Sequence, residues 1–152
     1  MQVSHKGIEL VKRFEGFISK AYLCPAGYLT AGYGHRANVT KDTVMTEEEA
    51  EKLLKKDLNQ FASKISFSLE QDHITVNQNQ FDALCSFAFN LGYSALVFST
   101  LWKKLKQGDY EGASDEFLKW VYITKTVNGE RIKLRLKGLE TRRNAERDLF
   151  LS

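Results

Sequence analysis

Apolar and polar positions recur along this chain with two periods, and each period marks an element. Ser4 precedes a run in which Ile8, Leu10, Val11 and Phe14 return at spacings of three and four, which predicts a helix over about 4–14. Ser4 is placed to cap it and Gly16 to stop it. From Phe17 to about His35 the helical period disappears. Tyr22-Leu23-Cys24, Pro25-Ala26-Gly27 and then Tyr28 to Tyr33 read as a small hairpin. Thr46-Glu47-Glu48-Glu49 is a capping box, and Ala50, Leu53, Leu54, Leu58, Phe61 and Ile65 carry one face of a long helix to about residue 66. Asn77 caps a further helix that holds Phe81, Leu84, Cys85, Ala88 and Phe89 and ends at Gly92. Ser99 or Thr100 opens a short helix ending at Gly108. Asp109 opens the next, through Tyr110, Ala113, Phe117, Trp120 and Val121. Residues 122–136 alternate around Asn128-Gly129, a two-residue hairpin turn, and a last helix runs from about Leu139 to Phe150.

These elements predict an α+β fold in one domain over 1–152. A small lobe with a β-hairpin near the N-terminus, about 16–65, joins a helical lobe of about 66–152 plus helix 4–14. The long helix connects the lobes, and a cleft between them is the natural binding place. Phe81, Phe87, Phe89, Phe98, Phe117 and Trp120 stand at helical spacing and are expected in the core.

Composition narrows the function classes. Of 152 residues 43% are apolar and 27% charged, which excludes a disordered or fibrous chain. The net charge is only +3, and no clustered basic stripe marks a nucleic-acid binder, so no nucleic-acid partner is expected. Basic residues gather toward the C-terminus, at Lys133, Arg135, Lys137, Arg142, Arg143 and Arg147. Arg142 and Arg143 could pair with Glu146 or Glu140. Two cysteines, Cys24 and Cys85, make no disulfide framework and fit a reducing compartment. No apolar leader or membrane-length apolar run occurs, so the expectation is a cytoplasmic protein without membrane insertion. His5 and His73 lack partners at metal-ligand spacing, so neither a metal nor another cofactor is expected.

Three residues near the N-terminus could carry chemistry. Glu15 lies at the last turn of the first helix, beside its apolar stripe. Desolvation there would keep the carboxyl protonated, as a proton donor to a leaving oxygen requires. A salt-bridged helix-end glutamate is the plainer alternative. Across the hairpin Cys24 faces Tyr28, and Thr30 returns to the same side, so a thiol and a hydroxyl project together. Taken singly, the two are a small buried hydrophobe and strand filler. Gly32-Tyr33-Gly34-His35 is a glycine-rich strand end that permits close approach of a ligand or another backbone. His35 could orient a loop or partner Cys24. Tyr28 and Tyr33 are candidates for stacking on a sugar.

Jointly these positions resemble a known family. Glu15, eight residues, Cys24, five residues, Thr30, then Gly32-Tyr33-Gly34-His35 is similar to the signature of phage-type lysozymes, the endolysins of glycoside hydrolase family 24. Gln80-Phe81-Asp82-Ala83-Leu84 with Phe87, Phe89-Asn90 and Gly92 resembles that family's central helix. Gly138-Leu139, Arg142-Arg143 and Glu146 resemble its C-terminal helix. The resemblance implies a lysozyme-like fold and cleavage of the β-1,4 bond between N-acetylmuramic acid and N-acetylglucosamine in peptidoglycan. Glu15, Cys24 and Thr30 would be catalytic, and Tyr28, Tyr33, Gly34 and His35 would bind the glycan strand. Cys24 stands where the family often has aspartate. It would either help Thr30 hold a water or attack the sugar itself. A free thiol is only a few per cent ionised near pH 7, so Cys24 needs a lowered pKa to serve as a base. The resemblance further implies a monomer that waits in the host cytoplasm until a holin pore admits it to the wall. Two other classes remain open: a cysteine amidase or endopeptidase using Cys24 with His35 or His73, and a binding module without catalysis.

Overall fold

The computed structural model describes residues 1–152. The chain begins with α1 (His5–Glu15), followed by the hairpin strands β1 (Ile18–Leu23) and β2 (Leu29–Gly32). The long helix α2 (Glu47–Gln71) leads to α3 (Gln78–Leu91), α4 (Tyr93–Val97), α5 (Thr100–Lys106) and α6 (Tyr110–Glu116). A second hairpin, β3 (Tyr122–Val127) and β4 (Glu130–Arg135), precedes the last helix, α7 (Lys137–Leu151). The expected α+β architecture is the observed one.

Local chemistry explains most boundaries. Thr46 caps α2 by accepting from the Glu49 N–H, and Asn77 and Gln80 form a reciprocal box at α3. Ser99 and Asp109 cap α5 and α6 through the N–H groups of Trp102 and Gly112. Ser4 departs from expectation. Its hydroxyl and its backbone N–H both donate to Asp82 of α3, so it ties α1 to the central helix instead of capping α1. The long helix runs five residues past the predicted end because its buried stripe continues from Leu58, Ala62 and Ile65 to Leu69. The short α4 has no sequence signal of this kind. Phe117 begins a single 3-10 turn that stops at Lys119, so the helix expected through Val121 ends early.

Two apolar cores form. The larger surrounds α3, whose residues Phe81 to Ala88 are all buried, and gathers Leu96, Leu101, Trp102, Phe117 and Phe150 around it. The smaller joins Val11 of α1 to Ala31, Tyr33, Met45, Ala50, Leu54 and Leu58. Phe98 breaks the expected pattern. It follows α4 as its C-cap and is 82% exposed, because the end of α3 at Gly92 resets the helical phase on which its core placement rests.

Candidate active site

Glu15 is the last residue of α1, and the Gly16 N–H closes the helix behind it on Lys12. It forms part of the wall of a cavity of about 390 Å³, together with Gly34, His35, Asp57, Phe89 and Asn90 among others. The apolar surroundings expected for it are not what it has. Arg142 Nη1 of α7 donates to Glu15 Oε2 at 2.6 Å, so a guanidinium rather than an apolar wall meets this carboxyl. The salt-bridged alternative is therefore correct as a contact, although the pair sits in the cavity wall.

Arg142 is itself held. Its Nε donates to Glu146 Oε2 at 3.3 Å and its Nη2 to the Ser86 carbonyl at 3.1 Å. Ser86 Oγ donates to the same Glu146 at 2.5 Å. Arg143 bonds the second Glu146 oxygen and the Asn90 side chain, and its Nε donates to the Trp120 carbonyl at 3.0 Å. The side chains of Arg143 and Glu146 are fully buried and that of Arg142 is 4% exposed. Burial pulls the Arg143 guanidinium below its ordinary value, against the opposing pull of Glu146. Two buried cations face one buried anion, and Arg142 turns its Nη1 outward to the Glu15 carboxyl. The sequence placed Arg142 and Arg143 beside Glu146 at helical spacing. It held no sign that the cluster is dry or that it reaches 127 residues back to Glu15.

The other candidate residues, Cys24, Tyr28 and Thr30, belong to the first hairpin and do not line that cavity. Strand register pairs Leu23 with Leu29 and Tyr22 with Thr30, with a bulge between Ile18 and Tyr22. The Cys24 N–H donates to the Tyr28 carbonyl at 2.9 Å, as the predicted turn requires. Thr30 is 2% exposed and its hydroxyl donates to the Tyr28 carbonyl at 3.0 Å. The Cys24 thiol lies below its ordinary value of 9.0. The Tyr28 backbone N–H contributes most, partial burial works against it, and the Thr30 hydroxyl, the Ala26 N–H and the Arg36 cation add to the lowering. Tyr22 links the two sides. Burial raises its phenol, and the negative charges of Glu15 and then Cys24 raise it further.

Gly34 and His35 lie in the wall with Glu15. Gly34 has φ +70, and a Cβ there would come within 2.5 Å of Glu15 Oε1, so a side chain at this position would push against the carboxylate. His35 Nδ1 meets Asp57 Oδ2 of α2 at 2.7 Å. It is oriented by that aspartate and does not act on Cys24. His73 lies at the far end of α2 beside a different cavity, near Met1 and Ser66. The cysteine amidase reading therefore has no Cys–His pair. Tyr28 is 57% exposed and carries the Arg36 guanidinium over its ring at 4.9 Å. Tyr33 cannot stack on a sugar. It is 4% exposed, its hydroxyl donates to Glu47 at 2.8 Å, and burial with that carboxylate pushes its phenol up to about 12. No group of three or more His, Cys, Asp or Glu side chains could hold a metal ion.

Comparisons with known proteins place the chain in a family. A family model described as phage lysozyme matches residues 12–146. The endolysin of Acyrthosiphon pisum secondary endosymbiont phage 1 is 46% identical over all of this chain and 99% of its own. Among solved structures, the muramidase domain of SpmX from Asticcacaulis excentricus superposes with a TM-score of 0.88. It is 33% identical, over 99% of this chain and 98% of that one. A point mutant of P22 lysozyme superposes with a TM-score of 0.74 at 37% identity, over 100% and 99% of the two chains.

Proposed function

This chain belongs to the phage lysozyme family of cell-wall muramidases, and on that premise we propose how its own residues divide the reaction. The placement of Glu15 in the wall of the cavity, with Arg142 held 2.6 Å from its carboxyl, is the observation that carries the reading. Glu15 is the general acid. It delivers a proton to the oxygen that leaves when the β-1,4 bond from N-acetylmuramic acid to N-acetylglucosamine breaks. The carboxylate this creates is received by the Arg142 guanidinium, which is already in place and needs no reorganisation.

Cys24 and Thr30 hold the attacking water on the hairpin side. The water's hydroxyl joins the anomeric carbon and its proton passes to the Cys24 sulfur. The lowered thiol pKa leaves more of Cys24 as thiolate than in a free cysteine, and the thiolate is the form that takes this proton. Gly34 and His35 shape the wall against the sugar, and exposed Tyr28 offers the stacking face. Tyr33 supports this surface from beneath. No helix is long and apolar enough to cross a membrane, and we take a holin pore as the route of a monomer to the wall.

The anomeric configuration of the first product, read by NMR, tests the water route. Inversion is expected. Net retention would make Cys24 the nucleophile of a glycosyl-enzyme and contradict water activation by the thiol.

A further inference from the structure

The β3–β4 hairpin stands apart from both cores, with every residue from Tyr122 to Arg135 exposed. Asn128 and Gly129, at φ 51 and 80, close the two strands in unbroken register. Tyr122, Thr124 and Thr126 lie opposite Arg135, Lys133 and Arg131. One face therefore carries three cations, two threonine hydroxyls and a tyrosine. The other face carries Ile123, Val127, Ile132 and Leu134, with Lys125 and Glu130.

Charge is concentrated here to an unusual degree. Between Tyr122 and Lys137 there are five cations, Lys125, Arg131, Lys133, Arg135 and Lys137, and one anion, Glu130, for a net of +4. The whole chain carries +3, so everything outside this segment sums to −1. The hairpin's base is tied by the Leu136 N–H to the Val121 carbonyl at 2.9 Å. From there α7 begins at Lys137 and within two turns delivers Arg142 to Glu15. The hairpin is thus rooted at the start of the helix that supplies Arg142, and its six-residue strands give it a reach of about 20 Å.

We propose that the cationic face of this hairpin docks the anionic stem peptides of peptidoglycan while the glycan occupies the cleft. The inference rests on the muramidase reading. Arg131, Lys133 and Arg135 occupy alternate positions of one strand, about 7 Å apart, the repeat at which an extended peptide presents one set of side chains; Arg135 also pairs with Glu140 at 2.9 Å, whereas Arg131 and Lys133 have no ion pair. Stem peptides carry free carboxylates for the cations, and their amide groups suit the hydroxyls of Thr124 and Thr126. Segregated apolar and cationic faces would also suit a lipid surface; the threonine hydroxyls among the cations and the strand repeat of about 7 Å favour a peptide. Rim charges of this kind act on encounter and substrate choice, so the effect belongs in kcat/KM and its salt dependence.

The test compares wild type with the triple variant Arg131→Gln, Lys133→Gln, Arg135→Gln on two substrates: intact peptidoglycan, and glycan strands freed of peptides by an amidase. On intact peptidoglycan kcat/KM should fall about tenfold and lose much of its salt dependence. On the stripped strands the two proteins should be equal. The paired change Arg131→Lys, Arg135→Lys keeps the charge and should keep the preference for intact wall; its loss there would overturn the proposal. Equal losses on both substrates, or none on either, would overturn it too. Binding of wild type to anionic vesicles, abolished by the triple variant with both cleavage rates unchanged, would give the face to a membrane and likewise reject stem-peptide docking. If wild type cut neither substrate, the failure would lie with the muramidase reading instead.

Discussion

The two sides of the candidate site are built from opposite materials. On one side Glu15 is gripped by Arg142, which is fixed by Glu146, Ser86 and, through Arg143, Asn90, all contributed by packed helices. On the other side Cys24 and Thr30 sit on a two-stranded hairpin with a bulge, an exposed Pro25–Tyr28 turn and no ion pair of their own. Where a proton must be delivered to one atom, a dry and charge-balanced network sets the geometry. Where water must enter and leave, the wall is a short hairpin with an exposed turn. Precision and access are thus separated in space, which is what a hydrolase acting on a polymer requires.

The largest effect that should follow is on the rigid side. Glu15→Gln keeps a partner for Arg142 but removes the transferable proton, so hydrolysis should fall by about three orders of magnitude while the far-ultraviolet circular dichroism stays unchanged. A loss under tenfold would break the assignment. Next comes Glu146→Gln, which leaves two buried guanidiniums with one fewer negative charge. Urea unfolding should show a cost of about 3 kcal/mol, and less than about 1 kcal/mol would mean the network is not what fixes this side. Gly34→Ala probes the seam between the sides. Its Cβ meets Glu15 Oε1 and its φ of +70 suits glycine, so about 1–2 kcal/mol of stability should be lost along with activity. Wild-type activity in that variant would show that the carboxylate has room to move.

The smallest effect concerns the open side. Iodoacetamide should modify Cys24 and spare Cys85, whose thiol is buried and pushed up. Because the Cys24 pKa is lowered, its thiolate persists as pH falls from 9, and reactivity is lost only below that value. A modification rate that halves at or above pH 9 would contradict the hydrogen-bonded thiol. The same measurement on Glu146→Gln should give the wild-type curve, since the network does not touch the hairpin.

What was legible in the sequence was local. The Thr46 box, the caps at Asn77, Ser99 and Asp109, the Asn128-Gly129 turn and the Cys24–Tyr28 pairing all depend on residues within a few positions of each other, and all appear. What was not legible depends on folding at a distance. Ser4 looked like a cap until α3 brought Asp82 to it, and Arg142 looked like a surface partner for Glu146 until α7 brought it to Glu15. Tyr33 looked available to a sugar because it lies between Gly32 and Gly34. Those glycines, at φ 66 and 70, turn the chain so that its ring packs against α2 and its hydroxyl meets Glu47. The catalytic spacing itself was read through resemblance, since Glu15, Cys24 and Thr30 one by one are ordinary residues.

The central claim is that Glu15, held by Arg142, donates the proton in glycan cleavage. Mass spectrometry of peptidoglycan digested by wild type and by Glu15→Gln in parallel tests it most directly. The account predicts that wild type releases muropeptides with new reducing ends at N-acetylmuramic acid and intact stem peptides, and that Glu15→Gln releases almost none. Free stem peptides from wild type, or the same muropeptides at a similar rate from Glu15→Gln, would contradict it.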